Sequence, residues 1–229
     1  MIDYRRYLRF IKRCGKLVIT RAWWFYGNFL PWLYNSLHHR RYVSKSVRYL
    51  EIGPGENHIQ GFETLNIIPG PNIDYVGDAT KRLPFKDNTF DLIYCSHILE
   101  HVPWYQTEAT LREWVRVIRP GGRLEVWVPD AYKICNVLIA AENNQIETIP
   151  DNWNVGNPSN NPYVWVSGRL FWGANPNYPS WHKSLFSLNY LTLLFGSISL
   201  TNIRKLESEE IRGFDHGWIN LGITGVKDA

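Results

Sequence analysis

From Val47 onward, short apolar runs separated by turn residues alternate with longer stretches of helical period, the pattern of an α/β domain with a mostly parallel sheet. Val47 to Ile52 reads as a buried strand. A short second strand is expected near Glu63–Ile67, a third near Asp74–Val76 and a fourth at Leu92–Ser96, ended by a helix start at His97. The next helix, about Trp104 to Ile118, places Leu111, Trp114, Val115 and Ile118 on one face. Pro120-Gly121-Gly122 stops it and turns into a strand at Arg123–Val128. Tyr132 to Asn143 and Leu188 to Phe195 read as helices. Ser199–Leu206 and Trp218–Val226 read as a closing antiparallel pair.

Two segments stand apart from this alternation. Residues 1–46 form an arm in which Tyr4, Leu8, Ile11 and Gly15 recur at helical spacing among basic residues, followed by an apolar, aromatic run to Leu37. Residues 150–182 are rich in Asn, Pro and Trp with little periodicity. A loop of that length in a compact domain points to function, and its aromatics argue against disorder. The chain therefore divides into the arm and a domain over residues 47–229.

Charge sharpens the division. The net charge of +4 conceals a strongly basic arm, where Asp3 is the lone acid, and a mildly acidic body. Basic residues beside Trp23, Trp24, Phe25 and Trp32 suit an interfacial anchor on anionic lipid, or a lid packed on the body or on a partner subunit in a homo-oligomer. Arg21, Gly27, Asn28, Pro31 and Asn35 interrupt the run that a membrane-spanning helix would need. The cysteines Cys14, Cys95 and Cys135 form neither a metal motif nor a disulfide framework, so a cytoplasmic setting is expected, at the inner face of a membrane if the arm binds lipid.

The motif with the most chemistry is Leu50-Glu51-Ile52-Gly53-Pro54-Gly55. A strand carrying an acidic residue runs into Gly-x-Gly, which lets a ligand approach bare backbone. Gly77-Asp78-Ala79, the run Phe90 to Ser96, and Arg119-Pro120-Gly121-Gly122 follow in order. On these residues the chain resembles the class I S-adenosylmethionine-dependent methyltransferases, over Val47 to Asp130. Through Gly61 to Ile67, Leu83-Pro84-Phe85, Ser96-His97-Ile98-Leu99-Glu100-His101 and Val128-Pro129-Asp130 it is similar to a group with a shortened cofactor unit found with cell-surface polysaccharide genes.

The resemblance implies a Rossmann-like, seven-stranded-type sheet with an antiparallel last strand and S-adenosylmethionine as cofactor. It places Glu51, Gly53 and Gly55 beside the methionine moiety, Asn66 at the ribose, Asp78 with Ala79 at the adenine, and Ser96 at a central strand end. Asn66 stands where the family has an acid, and Glu63 is a substitute if the register differs. Only ten residues separate Gly55 from Asn66, too few for a helical crossover, and part of the arm is a candidate to fill the gap.

For the transfer itself, His97 and Asp130 follow the fourth and fifth strands and His182 follows the aromatic loop, so these are the candidate bases. His97 and His101 share a helical face, yet without an obvious third ligand no metal is expected. Trp153, Trp165, Trp172, Tyr178 and Trp181 are the candidate acceptor platforms, since flat aromatics cover sugar C–H faces and the neighbouring amides pair with hydroxyls. The favoured activity is O-methylation of a sugar hydroxyl on a surface glycan or its precursor. Methylation of a small hydrophobic metabolite, lipid or quinone, and a non-catalytic binding subunit, are the alternatives. The acidic body argues against nucleic acid.

Overall fold

Seven strands lie in the order β3-β2-β1-β4-β5-β7-β6 in a single sheet, in a computed structural model that describes residues 35, 46–55, 58–145, 160–172 and 181–228. The strands are β1 (Tyr49–Ile52), β2 (Glu63–Asn66), β3 (Tyr75–Val76), β4 (Phe90–Ser96), β5 (Ile118–Pro129), β6 (Leu200–Leu206) and β7 (Asn220–Lys227). The first five run parallel, and β7 inserts antiparallel between β5 and β6. This is the expected α/β, Rossmann-like arrangement.

The helices are α1 (Thr107–Val117), α2 (Ala131–Glu142), α3 (Pro162–Leu170) and α4 (Leu188–Ser197). Ile93 and Cys95 of β4 join the main core with Leu111, Trp114, Leu191 and Phe195 from α1 and α4. Their neighbours Leu92 and Tyr94 point the other way, to a smaller cluster with Phe62, Trp127 and Leu206. Ile59 and Ile211, both on loops, pack on that second cluster.

Several expectations are adjusted by tertiary context. His97 starts no helix, and a single 3-10 turn follows at Leu99–His101. Trp104–Gln106 is likewise a 3-10 turn ahead of α1. Strand β5 begins at Ile118, before the Pro-Gly-Gly, because Phe90 pairs with Ile118 and Leu92 with Arg123, which leaves Arg119–Gly122 as a bulge. The aromatic stretch contains α3, whose N-cap Asn161 accepts from the N–H groups of Tyr163 and Val164.

The connection from β1 to β2 is short, as its length required, and is pinned by a side chain: Glu51 Oε2 accepts from Ile59 N at 2.8 Å. The basic arm, the Trp153 and Tyr178 platforms and most of residues 146–180 lie outside the described residues. Of the arm, Asn35 and Ser46 are described. The Asn35 amide pairs both ways with the backbone of Val76, Oδ1 accepting at 2.8 Å and Nδ2 donating at 3.0 Å. That contact satisfies groups on edge strand β3, and does not fill the gap after Gly55. Glu63 is no substitute for Asn66, because it is buried in a bidentate pair with Arg48.

Candidate active site

Both cavities of interest open at the carboxyl ends of the parallel strands, where open α/β sheets bind ligands. The larger, of about 520 Å³, is lined by Ile52, Gly53, Leu65, Asn66, Asp78 and Ala79 among others, with Ile98 and His101 on the side nearest β4. Gly53 adopts φ +69°. A Cβ there would sit 2.2 Å from Ile98 Cδ1, so the strand end leaves room for a ligand only as glycine.

The other proposed cofactor residues divide. Asp78 Oδ1 accepts from Thr80 N at 2.9 Å and Thr80 Oγ1 at 2.7 Å, capping the turn at the cavity wall. Asn66 Oδ1 accepts from Ile67 N. Ala79 lines the wall while its carbonyl takes the Trp114 indole N–H. Glu51 is buried behind the wall as the anchor of the following loop, and burial pushes its carboxyl up. Gly55, which is exposed, and Ser96 do not line the cavity.

The second cavity, of about 300 Å³, is lined by His97, Glu100, His101, Arg169, Trp172, His182 and His216 together with Pro129 and Ile219. His101 lines both cavities. The chain assembles this cluster from distant segments. Lys183 N and Ser184 N both donate to the Glu100 carbonyl, and Ser184 Oγ donates to the Val102 carbonyl. These bonds clamp the segment from His182 onto the 3-10 turn.

Glu100 is 2% exposed. Its Oε1 lies 3.3 Å from His97 Nδ1 and 3.9 Å from His182 Nε2. A charge-assisted hydrogen bond is shorter, about 2.7–2.9 Å, and neither Glu100 oxygen has a hydrogen-bond partner among the described residues. Burial pushes the Glu100 carboxyl up, but His97, His101 and His182 around it outweigh that and hold it below the usual carboxylate range. Burial pushes His182 down, and it pushes His216 down to about 4 with help from His97, so both rings are neutral near pH 7.

The second-layer contacts fix tautomers. Asn220 Nδ2 donates to Asp215 Oδ1 at 2.6 Å, which turns Asn220 Oδ1 toward His97 Nε2 at 2.8 Å. Nε2 of His97 therefore carries the hydrogen, and its Nδ1 faces Glu100. His182 Nδ1 lies 3.1 Å from the Arg169 carbonyl, so it donates there and leaves Nε2 as a lone pair toward the same carboxylate. His97 is held with φ +53°, a left-handed conformation uncommon for histidine, and its N–H is tied to the Trp127 carbonyl.

His97 and His182 thus converge as the sequence suggested, whereas Asp130 does not join them. Its Oδ1 caps α2, accepting from Tyr132 N and Lys133 N, and Asp130 lines neither cavity. Among the aromatic platforms, Trp172 lines the second cavity, and Trp181 lines neither. Trp165 is fully buried with Ile134, Val137 and Ile219, a core residue joining α3 to α2. Sequence reasoning passed over Glu100 as a site residue; its signal was an acid three residues after His97.

Residues 34–126 match the methyltransferase domain family. That segment is a methyltransferase domain. That match, over about two fifths of the chain, is to a family that uses S-adenosylmethionine as its cofactor. Curated relatives match over short stretches. The demethylmenaquinone methyltransferase of Mycolicibacterium paratuberculosis is 56% identical over 50 residues, which is 22% of this chain and 20% of that protein. The ubiquinone/menaquinone biosynthesis C-methyltransferase UbiE of Salmonella arizonae is 47% identical over 55 residues, 24% of this chain and 21% of that one. The chain thus matches about a fifth of the length of these relatives. Among solved structures, a SAM-dependent methyltransferase from Methanosarcina mazei is 16% identical, covering 83% of this chain and 96% of that one at a TM-score of 0.48.

The larger cavity of the methyltransferase domain fits the cofactor on its own terms. It combines a mainly apolar wall with Asn66 and Asp78 at successive strand ends and a glycine where any Cβ would intrude. Asn66 leaves the ribose position with one acceptor oxygen and one donor amide rather than a carboxylate.

Proposed function

We propose that the protein is an S-adenosylmethionine-dependent O-methyltransferase whose acceptor is a polar hydroxyl compound, a sugar of a surface glycan or of its precursor. The observation that carries this reading is the lining of the second cavity. A cavity walled by Glu100, Arg169 and histidines suits a hydroxylated acceptor that must lose a proton, and an apolar ring would leave the buried Glu100 carboxylate without a polar neighbour from the ligand.

Bound in the larger cavity, S-adenosylmethionine would supply a methyl group on a sulfonium. Gly53, Asn66, Asp78 and Ala79 would hold it, and His101, which lines both cavities, marks the side on which donor and acceptor would meet. His97 is the candidate base. Its Nε2–H is oriented by Asn220 and Asp215, its Nδ1 is the lone pair that would take the acceptor's proton, and Glu100 would steady the resulting imidazolium. Trp172 is the described platform for the acceptor's C–H face. A basic arm at a membrane would bring lipid-linked acceptors within reach, and the cytoplasmic face is the proposed location.

The test is transfer of labelled methyl from S-adenosylmethionine to nucleotide-linked and oligomeric sugars, against reduced quinones as competitors. Turnover on sugars alone supports the reading. Turnover on quinones alone replaces it with the second reading, C-methylation of a quinone, which the short matches to quinone methyltransferases favour.

Gly53→Ala tests the cofactor half. The added Cβ meets Ile98 at 2.2 Å in a left-handed conformation, so cofactor affinity should fall by about tenfold or more in calorimetry. Unchanged affinity in a folded variant would move the cofactor elsewhere.

A further inference from the structure

We infer that Glu100, His101 and His182 form a binding site for a divalent transition-metal ion of the zinc type at the floor of the second cavity. One donor atom from each of the three lies within 4.8 Å of the others. The arrangement is hard to account for without a cation. Glu100 is 2% exposed with both oxygens lacking a hydrogen-bond partner among the described residues, and His101 Nδ1 is buried in the same condition. His182 turns a lone pair on Nε2 toward that carboxylate at 3.9 Å, because its Nδ1 donates to the Arg169 carbonyl. Acceptor thus faces acceptor in a buried pocket, which costs free energy unless a cation or a proton lies between them.

The donor set suits such an ion. Two imidazoles and one carboxylate, with open positions toward a cavity, form a ligand set for catalytic zinc and for related divalent ions. A histidine ligand that donates its other ring nitrogen to a backbone carbonyl is the usual outer-shell support, and His182 has it. Metal–donor distances of about 2.0–2.2 Å require the side chains to draw together by about an ångström on binding. This assignment replaces the expectation of no metal, which lacked the third ligand because His182 lies 81 positions from His101 in the chain.

The ion's role rests on the methyl-transfer reading, though its binding does not. The open position would take the acceptor hydroxyl oxygen, lower its pKa and leave His97 Nδ1, outside the ligand set, to receive the proton. With an ion held there, the acceptor O–H would give its proton to His97, and the oxygen would form its bond to the methyl carbon as the sulfonium S–C bond breaks and S-adenosylhomocysteine leaves.

The experiment uses the full chain without a polyhistidine tag, stripped with chelator and titrated with Zn²⁺ by calorimetry and with Co²⁺ by visible absorption. One equivalent per chain is expected, with the d–d bands of low-coordinate Co²⁺. Glu100→Gln and His182→Ala should each weaken Zn²⁺ by on the order of a hundredfold. His58→Ala, an exposed histidine elsewhere, should not. Two substitutions guard against one variant failing to fold. No uptake by the folded wild type, or uptake indifferent to both substitutions, overturns the site. S-Adenosylmethionine titrated into the same samples separates the readings: metal bound without cofactor keeps this site and removes the methyltransferase reading, and cofactor bound without metal does the reverse.

Discussion

Replacing His97 by asparagine is expected to lower turnover by about two to four orders of magnitude while S-adenosylmethionine still binds with wild-type affinity. Asparagine is the choice because position 97 sits at φ +53°, a conformation that asparagine tolerates far better than alanine or a β-branched residue. The backbone N–H bond to the Trp127 carbonyl survives, and so does the end of β4. The lone pair facing Glu100 at 3.3 Å is lost. His97 lines the second cavity and not the larger one proposed for the cofactor, so the two measurements should separate. Single-turnover rates set beside calorimetry of the cofactor check it. Near-normal rates would remove His97 from the chemistry, and a parallel loss of cofactor binding would mean that the substitution had disturbed the strand end.

Alanine at Glu63 should cost about 3–5 kcal/mol of folding stability, the range for breaking a buried ion pair on one side. Glu63 accepts two hydrogen bonds from Arg48, both at 2.8 Å, and one from the Tyr75 hydroxyl at 2.8 Å, and it is 1% exposed. The Arg48 guanidinium also lies 4.8 Å from the Phe90 ring centroid. Burial pushes the Tyr75 hydroxyl up, with Glu63 adding to it, so it stays a donor. Removing the carboxylate strands a buried guanidinium at the junction of β1, β2 and β3. Apolar residues at both positions should recover much of the loss, because the cost lies in the unpaired charge. Denaturant midpoints for the single and double variants test this, and a loss below about 1 kcal/mol, the level of a surface pair, would show that water reaches the cluster.

The two effects separate because they act at opposite ends of the same strands. Arg48 precedes β1 and Glu63 opens β2, whereas Gly53 follows β1 and Asn66 closes β2. One end holds the sheet together and the other is free to bind.

Local sequence determined the sheet and the wall of the larger cavity. Apolar runs such as Leu92–Ser96 leave few choices but a buried strand, and Gly53 and Asp78 announce turns whose backbone geometry depends on neighbours close in the chain. The short link after Gly55 also predicted that a full helical crossover would not fit there. Tertiary structure decided the rest. Asp130 and Trp165 carried the right chemistry for a site, but packing assigns one to a helix N-terminus and the other to a core, outcomes that depend on partners far along the chain. Glu100 became part of the second cavity only because the segment from His182 to Ser184 returns to its carbonyl across about eighty residues. A strand or a turn is fixed by the period and rotamers of adjacent residues, whereas a cluster of titratable groups is fixed by which distant segments the core brings into contact.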